Sequence, residues 1–417
     1  MTLSSAMNTA VSALKAQGQA LSVISNNLSN SSTTGYKSVT TSFSSLVVQA
    51  FSGTSYNGAG VTSSARQNVD AQGSISATGN ATDLAIDGNG MFVVSSNTGT
   101  LYFTRDGEFD TNDEGYLVNG NYTLMGWPTN ADGTLVDTSM TASSLEKINV
   151  TSKVYSAKAT SAVTVNASLG SATEVGSTTY TKTMEVYDSL GTAHTITMTF
   201  THTAADTTNN TNTWTVGFSS DDGTTTLGDL TMTFDGDGAL TSIEDSGGTA
   251  LDPSAVTLPF SWSNAANDSS ISLKLSNISM TGSTDGVTLT STTNDGYATG
   301  KLTGVSVSAD GTVTASYDNG QAVPIYKIAI ATFPNYDGLQ ALSNTVYQVT
   351  SDSGSYTLNV AGQGAAGTIS ASALESSTVD TADEFTRMIV AQQAYSAASQ
   401  VITTAKDMYD ALISAVR

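Results

Sequence analysis

The chain contains no cysteine, which removes disulfide frameworks, thiolate metal sites and cysteine nucleophiles together. Charge is scarce as well, at 12% of 417 residues, and histidine occurs only twice. Bases are the scarcest charge: 14 against 36 acids give a formal charge of -22. That balance repels a phosphate backbone and removes the counterion-release drive for nucleic-acid binding. The first 69 residues have no acid at all, and their bases are Lys15, Lys37 and Arg66. No stretch approaches the roughly 18 consecutive apolar residues that a membrane span requires. The opening Met1–Lys15 lacks the basic cluster, apolar run and small-residue cleavage site of a secretory signal. If the protein leaves the cell, export without a cleavable signal is expected.

What is present is Ser, Thr, Asn and Gly around a thin apolar fraction of 39%, a texture suited to half-buried strands joined by tight turns. The length favours two or three domains. The two ends differ from the middle. Leu3, Met7, Ala10, Leu14, Gln17, Leu21, Ile24 and Leu28 recur at alternating steps of four and three, a heptad seam. Met388, Ala391, Tyr395, Ala398, Ile402, Ala405, Tyr409, Leu412 and Val416 repeat the pattern at the other end. A single apolar stripe returns too little to order a helix whose outer face is Ser, Thr, Asn and Gln rather than paired charges. Both ends are therefore expected to be assembly seams, disordered in the monomer and helical in a polymer.

Between them run short alternating segments punctuated by Asp-Gly, Asn-Gly and Gly-Gly, the signature of β-hairpins. The clearest strand is His194 to His202, where His194, Ile196, Met198, Phe200 and His202 alternate with threonine. Residues 149–296, rich in Thr, Ser and Asp, are expected to form an outer β domain. Residues 72–148 and 297–360 carry more aromatics and aliphatics and read as two halves of an inner β domain. The nesting is completed by terminal helices (1–30 and 375–417) and by connecting segments at 31–71 and 361–374. The 31–71 stretch, punctuated by Tyr36, Phe43, Phe51 and Tyr56, is expected to dock extended on neighbours. The fold class is mainly β with terminal α-helices: two nested β domains plus a helical coiled-coil domain.

No constellation supports catalysis or a resident metal or cofactor. The two histidines, eight residues apart on one strand, are separated by about 26 Å at strand rise, and the expected reading is two partly exposed strand-end residues. Asp110, Asn112, Glu114 and Gly115 resemble the opening of a calcium loop, but its twelfth position is Asn121 instead of glutamate. Asp87-Gly88-Asn89-Gly90 lacks the Gly-Lys-Ser/Thr ending of a phosphate loop. Both read as turns.

Several blocks resemble a known family. Ser25-Asn26-Asn27-Leu28-Ser29-Asn30 followed by Thr33-Thr34-Gly35-Tyr36-Lys37 is similar to the N-terminal signature of bacterial flagellar rod and hook proteins. Two ordered blocks agree: Leu84 to Val94, containing Asp87, Gly88 and Gly90, and Phe103 to Phe109, containing Arg105, Asp106 and Gly107. Val186 to Gly191, Ala331 to Leu339, and Leu374-Glu375-Ser376-Ser377 with the helix beyond it resemble hook-protein segments, Thr378 standing where asparagine is usual. The resemblance implies a hook subunit exported unfolded through the flagellar type III apparatus, polymerising outside the cell into a curved tube that acts as a universal joint. It implies as partners other copies of the chain, the hook cap, the distal rod and the hook-filament junction proteins. A distal-rod subunit is the near alternative, and a secreted adhesin or carbohydrate-binding module the alternative from another class.

Overall fold

The computed structural model describes residues 3–47, 58–151, 155–171, 174–176, 178–282, 286–343 and 345–415; Phe51 and Tyr56 lie outside them. The fold is mainly β with a helix at each end, and the chain divides into two compact units. The first comprises Met1–Ser152, Gly304–Ser316 and Ala322–Arg417, the second Lys153–Thr303 and Tyr317–Gln321.

In the first unit, α1 spans Leu3–Ser29 and α2 spans Thr381–Ala415. The start of α2 is written locally. Asp380 caps it, its Oδ1 accepting the backbone N–H of Ala382 (2.9 Å) and Asp383 (3.2 Å), and Asp383 and Glu384 place negative charge on the positive end of the helix dipole. Within the stretch expected to run extended, Val39–Val47 instead pairs antiparallel with Gly58–Gln67. This hairpin lies along α1, where Ser12 Oγ accepts the Val61 N–H at 3.2 Å and Ser63 Oγ donates to Gln19 Oε1 at 2.7 Å. Gly60 permits the approach, since a Cβ there would sit 2.1 Å from Ser12 Oγ.

The β body of the same unit is organised around the strand Ala322–Thr332, which pairs antiparallel with Tyr122–Pro128, Met91–Ser95 and Thr357–Val360. Met91–Ser95 is buried on both faces. One face packs Met91, Val93, Phe103, Trp127, Ala329 and Tyr347 into a single cluster; on the other, Phe92 meets Phe109 edge to face at 5.6 Å.

The second unit has two six-stranded sheets whose alternate residues share one apolar core. Ala193–Asp206 shows why they form: His194, Ile196, Met198, Phe200 and His202 are buried while the intervening threonines are not. Asp-rich turns close the hairpins. Asp235 Oδ1 accepts the N–H of Asp237 and of Ala239, with Gly238 at φ +83°. The calcium-like segment in the first unit is built the same way, with Asn112 Oδ1 accepting from Glu114 and Tyr116 before Gly115. That oxygen is committed to backbone geometry.

Candidate functional site: the terminal helix pair and its buried anchor

The two helices pair with each other inside one chain, antiparallel, so that the last turn of α1 meets the first turn of α2. Asn27 is the joint. It is fully buried, and its amide donates to Glu384 Oε1 at 3.0 Å and to the Val39 carbonyl at 2.8 Å, while its Oδ1 accepts from Val39 N–H and Tyr36 Oη. Every hydrogen-bonding position of that side chain is used. Burial, then the Glu384 carboxylate, raises the Tyr36 pKa, which keeps the phenol a donor.

Along α1 the buried positions are Ala10, Ala16, Ala20, Ile24 and Asn27. Ala10 and Ile24 belong to the seam read from the sequence, whereas Met7, Leu14, Leu21 and Leu28 are half-buried. The buried face is broader than one heptad stripe because α1 is held between α2 and the hairpin, and alanines let both approach closely. Along α2, Ala391 and Ala405 are buried and Met388, Ala398 and Ile402 half-buried, while Tyr395, Tyr409 and Leu412 are exposed. Leu3 lies at the first residue of α1, and Val416 lies outside the described residues.

The blocks that resembled a family signature converge on Glu375. Its Oε1 takes the Lys37 ammonium at 2.5 Å and the Gly73 N–H at 2.7 Å; its Oε2 takes Arg105 Nη1 at 3.1 Å. Lys37 also donates to the Ala71 carbonyl, and Arg105 Nη2 to the Gly88 carbonyl at 2.7 Å. All three charged side chains are buried. Burial pushes the Lys37 ammonium down, opposed by the carboxylate beside it. Around this ion cluster the backbones come too close for side chains. A Cβ on Gly35 (φ +66°) would lie 2.6 Å from Asp106 N, and one on Gly107 would lie 1.7 Å from the Leu84 carbonyl oxygen. Thr34 Oγ1 donates to Asp106 Oδ1 at 3.0 Å and Gly35 N–H to the Glu375 carbonyl at 2.8 Å. Asp87, Gly88 and Gly90 form the turn that presents the Gly88 carbonyl to Arg105, with Gln72 donating to Asp87 Oδ1. Asn26 and Asn30 cap the end of α1 through an Asn30 side-chain donation to the Asn26 carbonyl. Thr378 Oγ1 accepts Ser38 N–H at 2.9 Å. Chemically the site is a clamp: a carboxylate 338 residues downstream fastens the end of the N-terminal segment to the β body.

The comparisons with known proteins cover the same segments. Residues 7–37 match the model of the flagella basal body rod protein and 370–415 that of the flagellar basal body rod FlgEFG protein C-terminal region. Residues 85–168 match the flagellar hook protein FlgE/F/G D1 domain, and 164–297 the flagellar basal body protein FlaE D2 domain. The flagellar hook protein FlgE of Rhizobium meliloti (strain 1021) is 35% identical over 426 residues, covering 100% of both chains. The chain belongs to the flagellar hook protein family. FlgE of Salmonella typhimurium is 32% identical, across 97% of this chain and 98% of its own. Among solved structures, the Helicobacter pylori flagellar hook protein FlgE2 is similar over 70% of this chain and 98% of its own, with a TM-score of 0.47 at 14% identity.

In the second unit of this hook-family chain, the histidines depart from expectation. Both are buried, not partly exposed. His194 donates through Nδ1 to Asp222 Oδ2 (2.5 Å) and through Nε2 to Asp188 Oδ2 (3.0 Å), and its ring stacks on Trp262 at 4.0 Å. Asn264 donates to the same Asp188 oxygen at 2.5 Å. Burial works to lower the imidazole pKa, but the two carboxylates outweigh it and the net shift is upward. A carboxylate oxygen at each ring nitrogen favours the protonated form of His194. His202 stacks on Trp214 at 4.9 Å. Among the described residues, no group of three or more His, Asp or Glu side chains is placed to hold a metal ion.

Proposed function

We propose that this chain works by self-assembly: it polymerises through its terminal helices into the curved, flexible tube of the hook, a universal joint between the motor and the filament. The observation that carries the reading is the helix pair, which buries a shared seam and still leaves Phe385, Ile389, Val390, Tyr395, Val401 and Met408 on its outside. An apolar face of that extent on a helix whose other exposed residues are mostly polar or charged suits burial in an assembly. Full-length relatives that are hook proteins favour this over a distal-rod subunit or an adhesin. The finer parts of the proposal are export through the flagellar type III apparatus, a place outside the cell, and contacts with the hook cap, distal rod and hook-filament junction proteins. The clamp at Glu375 is proposed to hold the helix pair on the β body while the assembly bends. Residues 149–296 are proposed as an outer domain whose polar surface makes wet contacts that exchange partners.

Electron microscopy of the purified chain at rising salt and concentration tests the reading. Tubes are expected; a persistent monomer with ordered helices would overturn it. Removing residues 149–296 is expected to leave tubes that form but bend abnormally, and normal curvature would refute the role given to that segment.

A further inference from the structure

The helix pair is unequal, with 35 residues in α2 against 27 in α1. Its seam continues past the buried Ala405 to Tyr409 and Leu412, which are 54% and 64% exposed. This end of α2 presents a seam with nothing across it among the described residues. Lys406, Tyr409 and Ile413 stand at i, i+3 and i+7 on one stripe of it, and Lys406 makes no hydrogen bond or ion pair among the described residues.

At the opposite end of the pair, α1, the first turns of α2 and the strand Val39–Val47 enclose an open groove of about 280 Å³. Its walls are mainly apolar, with Ala20, Ile24, Phe43, Val390 and Ala391, and its polar lining includes Arg387, which is paired with Asp383 at 2.8 Å. Glu384 lines it, only 5% exposed; Asn27 occupies Oε1, and Oε2 has no partner among the described residues. A buried carboxylate oxygen left bare is costly, and a donor carried in on an apolar helix would relieve that cost.

Building on the self-assembly reading, we propose that the groove receives the C-terminal end of α2 from a second copy of this chain, with Tyr409 and Ile413 against the apolar walls and Lys406 on Glu384. The far end of α2 offers an apolar stripe to match the apolar walls, and in Lys406 a cation, unpaired among the described residues, for the bare oxygen of Glu384. The two surfaces are different patches at opposite ends of one helix pair, so the contact is head-to-tail and propagates into an open filament instead of closing as a dimer.

The absence of cysteine makes the test direct. Val390→Cys marks the groove and Ile413→Cys the far end; on one helix the two sites are about 34 Å apart, so a disulfide between them joins two chains. Tubes grown from a mixture of the two single variants and then oxidised are expected to give mixed 390–413 dimers, and tubes of the double variant a ladder. Tubes with no link, or with only 390–390 or 413–413 links, would overturn the docking. If the cysteine variants do not assemble, charge reversal decides. Lys406→Glu is expected to raise the critical concentration about thirtyfold, the effect of breaking one partner of a buried charge pair. A Lys406→Glu chain that polymerises at the unaltered concentration would also overturn the docking. Failure of the unaltered chain to form tubes sinks the self-assembly reading and the docking together, whereas tubes without 390–413 links sink the docking alone.

Discussion

Replacing Glu375 by glutamine removes one negative charge from a site that holds two buried cations. Lys37 and Arg105 lie 2.5 Å and 3.1 Å from its two oxygens. The amide can still accept one hydrogen bond through its oxygen, but its nitrogen then faces a guanidinium or an ammonium, donor against donor. Breaking a buried ion pair from one side costs about 3–5 kcal/mol, most of it the price of leaving charge buried and unpaired. The first unit of Glu375→Gln is therefore expected to lose about 3–5 kcal/mol. Hydrogen-exchange mass spectrometry under increasing urea measures this by segment. Peptides from 84–128 and 322–332 should exchange at lower urea, while peptides from 193–220, whose core cluster is separate, serve as the reference. The triple change Lys37→Met, Arg105→Met, Glu375→Leu removes all three charges and should recover most of the loss. A loss below about 1 kcal/mol in Glu375→Gln, the size of an exposed ion pair, would refute the clamp.

The remaining expectations are independent of that one. His194 has a raised pKa in the folded state, so its contribution is complete below its ordinary value of 6.5 and is lost as pH rises through the folded one. Asp188 is held low by bonds from Asn264 and His194 that overcome burial, so its contribution is present above 3.8 and is lost as pH falls through its folded value. Thermal unfolding followed at Trp214 and Trp262 should show the second unit most stable between about those two ordinary values, and His194→Gln should flatten the alkaline decline; an unchanged decline would contradict a protonated His194. Gly107→Ala drives a methyl into the Leu84 carbonyl and should cost about 1–3 kcal/mol in chemical denaturation. Gly79→Ala, with open space around it, is the control and should cost nothing measurable. Circular dichroism should show less helix in the monomer than in tubes; equal helix in both states would remove the link between seam pairing and polymerisation.

The threonine alternation of 194–202 was readable residue by residue, because a sheet with one buried face writes its period directly into the chain. The histidines shared that alternation and were buried for the same reason, yet the carboxylates that charge His194 come from Asp188 and Asp222 in two separate turns, which no local pattern connects. The helices were legible as helices and only partly as faces. Ala16 and Ala20 are buried through close approach, a requirement set by the neighbours of α1 and not by apolar period. The hairpin of 39–67 was missed because its Ser and Thr face a helix through hydroxyl contacts such as Ser12 to Val61 and leave no apolar alternation. Lys37, Arg105 and the block holding Glu375 were each visible as parts of motifs. Their meeting was not, since it depends on how the β body folds between them.

That meeting also sets an order of events. The second unit is drawn almost wholly from one continuous stretch, Lys153–Thr303, and has nearly all it needs as soon as that stretch is free. The first unit has a lock whose barrel is at Lys37 and whose key is at Glu375, so a chain delivered N-terminus first must keep its opening segment waiting until almost the last residues arrive. Whatever carries the chain to its destination thus handles a molecule that cannot close prematurely around its own beginning, and completion is timed by delivery of the end.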